Sequence, residues 1–165
     1  MQITYHDKWF RRRGQPIGTI SRAVADTRYS SGEPFCLVAR DDNGSFVGFV
    51  EVGSGVFGAG FLDGDGNVDL DYSFVEQSGK LFLSQAVVVE VADHSPNVQV
   101  THYFDPSGQV VIETWAIGSA SASRTSGQVD VSSNWESVPT FEQIPNLLCR
   151  ERLILPKHGT EVSER

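Results

Sequence analysis

Hydrophobic and polar positions alternate along most of this chain with a period of two, the spacing of strands that bury one face. Phe46, Gly48, Val50 and Val52 interleave with Val47, Phe49 and Glu51. Val68, Leu70, Tyr72 and Phe74 interleave with Asp69, Asp71 and Ser73. The same texture predicts strands over 35–40, 46–52, 56–62, 68–75, 80–91, 98–104 and 109–117. The 80–91 run is long for one strand, so a bulge is expected within it.

Turn chemistry separates the runs: Asp41-Asp42-Asn43-Gly44, Gly53-Ser54-Gly55, Asp63-Gly64-Asp65-Gly66-Asn67 and Asp105-Pro106-Ser107-Gly108. Gly accepts positive φ without a Cβ clash, and Asp hydrogen-bonds its own turn backbone. Asn-Gly supplies two residues tolerant of positive φ, so Asn43-Gly44 reads as a tight hairpin turn. The connections are short, and nothing resembles a βαβ crossover.

The period changes once. Thr19 precedes Ile20, Ala23 and Val24, an i, i+3, i+4 spacing behind a capping residue. This predicts a short amphipathic helix over about 19–28, ended by Ser30-Ser31-Gly32 and Pro34. The fold class is therefore α+β, mainly antiparallel β: a meander sheet or partly closed barrel of about seven to eight strands, with a short N-terminal helix packed on it.

The chain reads as a single domain over 1–165, long enough for a real core. Residues 1–17 read as an irregular N-terminal segment with a short strand at Gln2 to Tyr5. Gly118 to Gly127, small and polar, reads as a mobile loop. Gln128 to Val131 reads as a last short strand, and Phe141 to Leu148 as a helical turn or two around Pro145. Residues 156–165 read as a frayed tail.

Thirteen basic residues against twenty-one acidic ones give a net charge of −8. That argues against a nucleic-acid binder, whose affinity rests on neutralising phosphates. It suits solubility or a basic partner. Apolar runs such as Ala86 to Val89 are too short to span a bilayer, and no apolar stretch follows the charged N-terminus, so neither signal peptide nor anchor is read. Cys36, in the apolar run Pro34-Phe35-Cys36-Leu37-Val38, reads as a buried free thiol rather than half of a disulfide with Cys149. A cytoplasmic setting follows from these readings.

Candidate chemistry is sparse. A helix–loop–helix calcium loop starting at Asp63 would want Gly at its sixth position and Glu at its twelfth, where Val68 and Phe74 stand; the run reads as a hairpin instead. His6, His94, His102 and His158 show no metal spacing. Gly53-Ser54-Gly55 and Gly44-Ser45-Phe46 lack a nucleophile elbow, and Gly58-Ala59-Gly60 and Gly64-Asp65-Gly66 lack the Lys and helix of a phosphate loop. No catalytic residue, metal site or cofactor is assigned, and an enzyme is the less favoured class.

Asp69 and Asp71 fall on one face of the 68–75 strand and, with Glu76, Asp63 and Asp65, form an acidic stripe: either a solvated outer face or a docking surface for a basic partner. Trp115 reads as core. Trp135, after the mobile loop, reads as a core cover or as a partner-binding anchor, since tryptophan is enriched at interface hot spots. Arg11-Arg12-Arg13 reads as a solvated charge run.

In style the chain resembles the small acidic immunity proteins that protect bacteria from polymorphic toxins. The resemblance spans about residues 19–152. It rests on the helix near 19–28, the meander through Phe49 to Tyr72, the Phe61-Leu62-Asp63-Gly64-Asp65-Gly66 and Tyr103-Phe104-Asp105-Pro106-Ser107-Gly108 hairpins, and the closing Asn134-Trp135-Glu136, Pro139-Thr140-Phe141 and Leu148-Cys149-Arg150-Glu151-Arg152. It implies a cytoplasmic protein that binds and blocks a basic toxin domain and has no chemistry of its own. The alternative is a small β-barrel that encloses a small-molecule ligand or acts as a cofactor-free pocket enzyme.

Overall fold

The structure is a computed structural model that describes residues 1–92 and 95–152. His94, His158 and the tail expected to fray over 156–165 lie outside the described residues.

The backbone forms β1 (Gln2–Phe10), β2 (Gln15–Ile20), α1 (Arg22–Ser31), β3 (Phe35–Arg40), β4 (Phe46–Gly53) and β5 (Val56–Leu62). There follow β6 (Val68–Gln77), β7 (Lys80–Ala92), β8 (Ser95–Phe104), β9 (Gln109–Ala116), β10 (Ala122–Gln128) and β11 (Trp135–Ser137). A 3₁₀ segment, Phe141–Leu147, precedes the last described residues. All eleven strands lie in one sheet with antiparallel neighbours, ordered β10-β9-β8-β7-β6-β5-β4-β3-β1-β2, with β11 paired to β7 off this path. The sheet does not close, because β10 and β2 are ends. Among the described residues no helix is long and apolar enough to cross a membrane.

The strands of the central meander lie where the sequence placed them, but the sheet has eleven strands among the described residues, not seven to eight: β1 extends the short strand read at Gln2 to Tyr5, and β2, β10 and β11 are additional. Residues 1–17 contain all of β1 and part of β2, and the expected mobile loop at 118–127 contains most of β10. The last strand at 128–131 is not there; β10 ends at Gln128. The physical reason is position. β10 is an edge strand made of Ala, Ser, Arg, Thr, Gly and Gln, and an edge exposed to solvent needs no apolar face.

The helix starts later than its spacing predicts. Ser21, not Thr19, is the cap: its Oγ accepts from Val24 N at 3.3 Å, while Thr19 pairs with His6 in the ladder. At the other end Gly32 takes φ 74°, and Glu33 N donates to Arg28 O at 2.8 Å. This left-handed cap needs a residue without a Cβ.

Three hairpins share one loop design. Asp41, Asp63 and Asp105 each donate their N–H to the carbonyl four residues on, at 2.8, 2.8 and 2.9 Å. Each receives at its own carbonyl the N–H of the glycine three residues on: Gly44, Gly66 and Gly108. Only those glycines have positive φ. This is a type I turn closed by a glycine bulge, so Asn43-Gly44 does not form the two-residue turn its sequence suggests. The two-residue form occurs instead at Ser78 (φ 52°) and Gly79 (φ 74°), between β6 and β7.

The main core lies where α1 and the 3₁₀ segment cover the inner face. Ala25, Phe141, Ile144 and Leu147 meet Phe35, Leu37, Val50, Phe57, Tyr72 and Leu81 there. A smaller cluster on the outer face holds Trp9, Cys36, Val38 and Phe49, with the Trp9 and Phe49 rings stacked at 4.1 Å. The expected bulge in β7 is present: Ser84 is the extra residue where the β6 register shifts.

Candidate functional site

The acidic residues read as one stripe are separated by a second bulge. Phe61 pairs with Leu70 but Leu62 pairs with Val68, so Asp69 is an extra residue and the alternation breaks at it. Asp69 and Asp71 therefore do not share a face. Each is taken by a different arginine.

Asp71 is 7% exposed, and Arg11 Nη1 donates to its Oδ2. Arg11 Nη2 donates to Glu51 Oε2, and the guanidinium lies 5.8 Å from the centre of the Phe49 ring. Burial pushes the Asp71 carboxyl above its usual range, with the Arg11 guanidinium pulling it back. Gly58 and Gly60 make this possible. Gly60 admits the Phe49 ring on which the guanidinium rests, and a Cβ at Gly58 would lie 3.8 Å from Arg11 Nη2. Arg11 is thus an ion-pairing strap, not part of a solvated run.

Asp69 pairs with Arg150, whose guanidinium lies 5.6 Å from the Phe61 ring centre. Tyr72, fully buried, donates its hydroxyl to Arg150 O at 2.7 Å. Arg152 clasps Glu136 with one nitrogen at 2.8 and 2.9 Å to the two carboxylate oxygens. These bonds fasten the segment after the 3₁₀ turn to the sheet. Sequence reasoning missed both arginines, since their partners lie far along the chain.

Glu76 is different. It is exposed, makes no ion pair among the described residues, and lines an open groove of about 480 Å³ where the C-terminal turn of α1 meets the β4–β5 connection. Tyr29, Glu33, Ser54 and Phe57 also line it, and none of its lining residues is basic. Glu33 follows the helix cap and accepts a hydrogen bond from Ser31 Oγ at 3.2 Å. The C-terminal turn of α1 adds the negative end of a helix dipole. Burial, then Glu76, raises the Tyr29 hydroxyl above its usual value. Sequence reasoning named Glu76 and passed over Glu33. A second groove, of about 560 Å³ beside Tyr5 and Phe141, already holds a satisfied pair, Arg22 and Glu142 at 2.7 Å.

Trp135 is half-buried, its ring 4.7 Å from that of buried Phe82, the packing of a core cover. Trp115, expected in the core, is 39% exposed on β9, because the three-stranded end of the sheet has solvent on that face.

The remaining chemistry is structural. Asp63 Oδ1 accepts from Asp65 N and Asn67 N, both at 2.9 Å, as the hairpin reading requires. These bonds, that from Asn67 first, hold its carboxyl below the usual range. Among the described residues no three His, Cys, Asp or Glu side chains converge on a metal position. Cys36 is fully buried and its thiol is pushed up to about 12 by burial, whereas Cys149 is exposed. A thiol reagent at neutral pH should therefore label Cys149 alone in the native protein and both cysteines after unfolding. Mass spectrometry of the alkylated chain checks this; native labelling of Cys36 would contradict its burial.

Comparison with protein-family models, curated proteins and solved structures finds no match.

Proposed function

We propose that this protein binds a basic protein partner stoichiometrically and blocks it, in the manner of the immunity proteins it resembles, within the cytoplasm. The observation that carries this reading is the groove in which Glu33 and Glu76 stand with no basic residue among its lining. Four carboxylates of the sheet are neutralised internally: Asp71 and Glu51 by Arg11, Asp69 by Arg150, Glu136 by Arg152. The groove sets two carboxylates side by side within reach of a partner's lysine or arginine. Apolar Val52, Phe57 and Val138 line the same groove and would pack against the stem of such a side chain. Asp69, Asp71 and Trp135 support the sheet behind the interface instead of forming it.

The test is binding to a basic toxin domain encoded beside this gene. A one-to-one complex is expected. Glu33→Lys with Glu76→Lys should slow association roughly tenfold at low salt and less at high salt, because the steering is electrostatic. If the neighbouring protein does not bind, or if the double variant associates like the wild type, the reading is wrong.

A further inference from the structure

The last strand of the meander presents an open edge. β10 pairs with β9 in seven unbroken pairs, from Ala122 opposite Trp115 to Gln128 opposite Gln109. Among the described residues no strand pairs with its other side. The opposite end of the sheet is blunted. There β2 carries Pro16, which has no N–H, and Gly18 at φ 68°, which breaks the extended geometry. β10 has no Pro, no Lys and no bulge.

The phase of the ladder says which groups are open. Val129 N donates to Gly108 O at 2.9 Å, in the same register as the β9–β10 pairs. Closely bonded pairs therefore fall at Val110–Gly127, Ile112–Thr125 and Thr114–Ser123. The N–H and C=O groups of Ala122, Arg124, Ser126 and Gln128 then point away from β9.

We propose that this edge is a dimerisation site, where a second copy of the chain adds its own β10 antiparallel about a two-fold axis through Thr125. The edge is complementary to itself in that register. Arg124 faces Ser126 of the second copy and Ala122 faces Gln128, so every outward backbone group meets another in phase. The strand's one charge, Arg124, sits beside its own Glu113 at 3.7 Å and meets a serine. A register centred on Arg124 would place arginine on arginine. A foreign strand would be read by pockets beside the edge, and neither groove includes a β10 residue. The exposed apolar residues on the adjoining strands also fit. Tyr103 is 40% and Trp115 39% exposed, and Trp115 stands opposite small Ala122, so its indole can cover the join.

Sedimentation of the full chain over a concentration series tests the proposal. A monomer–dimer equilibrium is expected, and it should strengthen with salt, because two copies of net charge −8 repel. That is opposite in sign to the salt effect expected for a basic partner, so the two interactions fail separately. Ser126→Pro removes one outward N–H and leaves the β9 bonds in place, so dimerisation should weaken at least about tenfold while the melting temperature stays near wild type. In a Cys149→Ser background, Thr125→Cys should form a reducible intermolecular disulfide, because Thr125 meets its own copy in a closely spaced pair. Ser123→Cys, facing Gly127, should not. A chain that stays monomeric throughout overturns the proposal. So do a dimer undiminished by Ser126→Pro and equal cross-linking at positions 123 and 125.

Discussion

Replacing Arg11 with methionine should cost the fold about 3 kcal/mol at neutral pH, since it leaves the Asp71 carboxylate buried without a counter-charge. The figure stands at the low end for a broken buried pair because Arg11 is itself 53% exposed while Asp71 is 9% exposed at the side chain. The pH dependence has a definite sign. Asp71 already has a folded pKa raised by burial, and loss of Arg11 raises it further. A raised carboxyl binds its proton more tightly folded than unfolded, so the variant regains stability as pH falls through the folded value. The gap from wild type should be widest near neutrality and should narrow toward the ordinary carboxylate range. Denaturant melts at a series of pH values measure this. Arg11→Met with Asp71→Leu should recover most of the loss, because an apolar pair of similar volume needs no desolvation. A single variant with the same deficit at every pH would show that Arg11 acts by packing alone.

Gly60→Ala should be comparably severe. A Cβ there would lie 2.1 Å from Phe49 Cζ, and Phe49 is fully buried against the Trp9 ring at 4.1 Å. The ring cannot retreat without unstacking from Trp9 and shifting from beneath Arg11. Overpacking of this kind costs about 3 kcal/mol, or roughly 8 °C in melting temperature for a chain of this size. Gly64→Ala is the control. Nothing lies within 4 Å of a Cβ at Gly64 and its φ is not positive, so the substitution should move the melting temperature by no more than about 1 °C. Thermal melts of the two variants side by side decide between crowding at one site and a general glycine requirement of the sheet.

The parts of this fold that were legible in the sequence are those fixed by neighbours. The loops at Asp41, Asp63 and Asp105 use only residues within four positions, and the central strands carry their own alternation. The parts that were not legible depend on distant partners. β10 is exposed on both faces, and β1 sends Ile3 and Tyr5 to the main core but Trp9 to the smaller cluster, so neither carries a regular alternation to read. The bulge at Asp69 is a matter of register between β5 and β6, and it turned an apparent acidic stripe into two buried or half-buried ion pairs. Arg11 looked solvated because its partner Asp71 is 60 residues away. Of the three carboxylates read as partner-binding, Asp69 and Asp71 are taken by arginines and Glu76 stays open, and its neighbour in the groove, Glu33, comes from the far side of α1's cap.

The central claim is that a basic partner seats in the groove between the end of α1 and the β4–β5 connection. Amide hydrogen exchange on the complex with the neighbouring toxin domain tests it most directly. The account predicts slowed exchange over residues 29–33 and 53–57 and around Glu76, with β10 unchanged. Protection confined to β10, or to strands β8 and β9, with the groove amides exchanging as in the isolated chain, would contradict it.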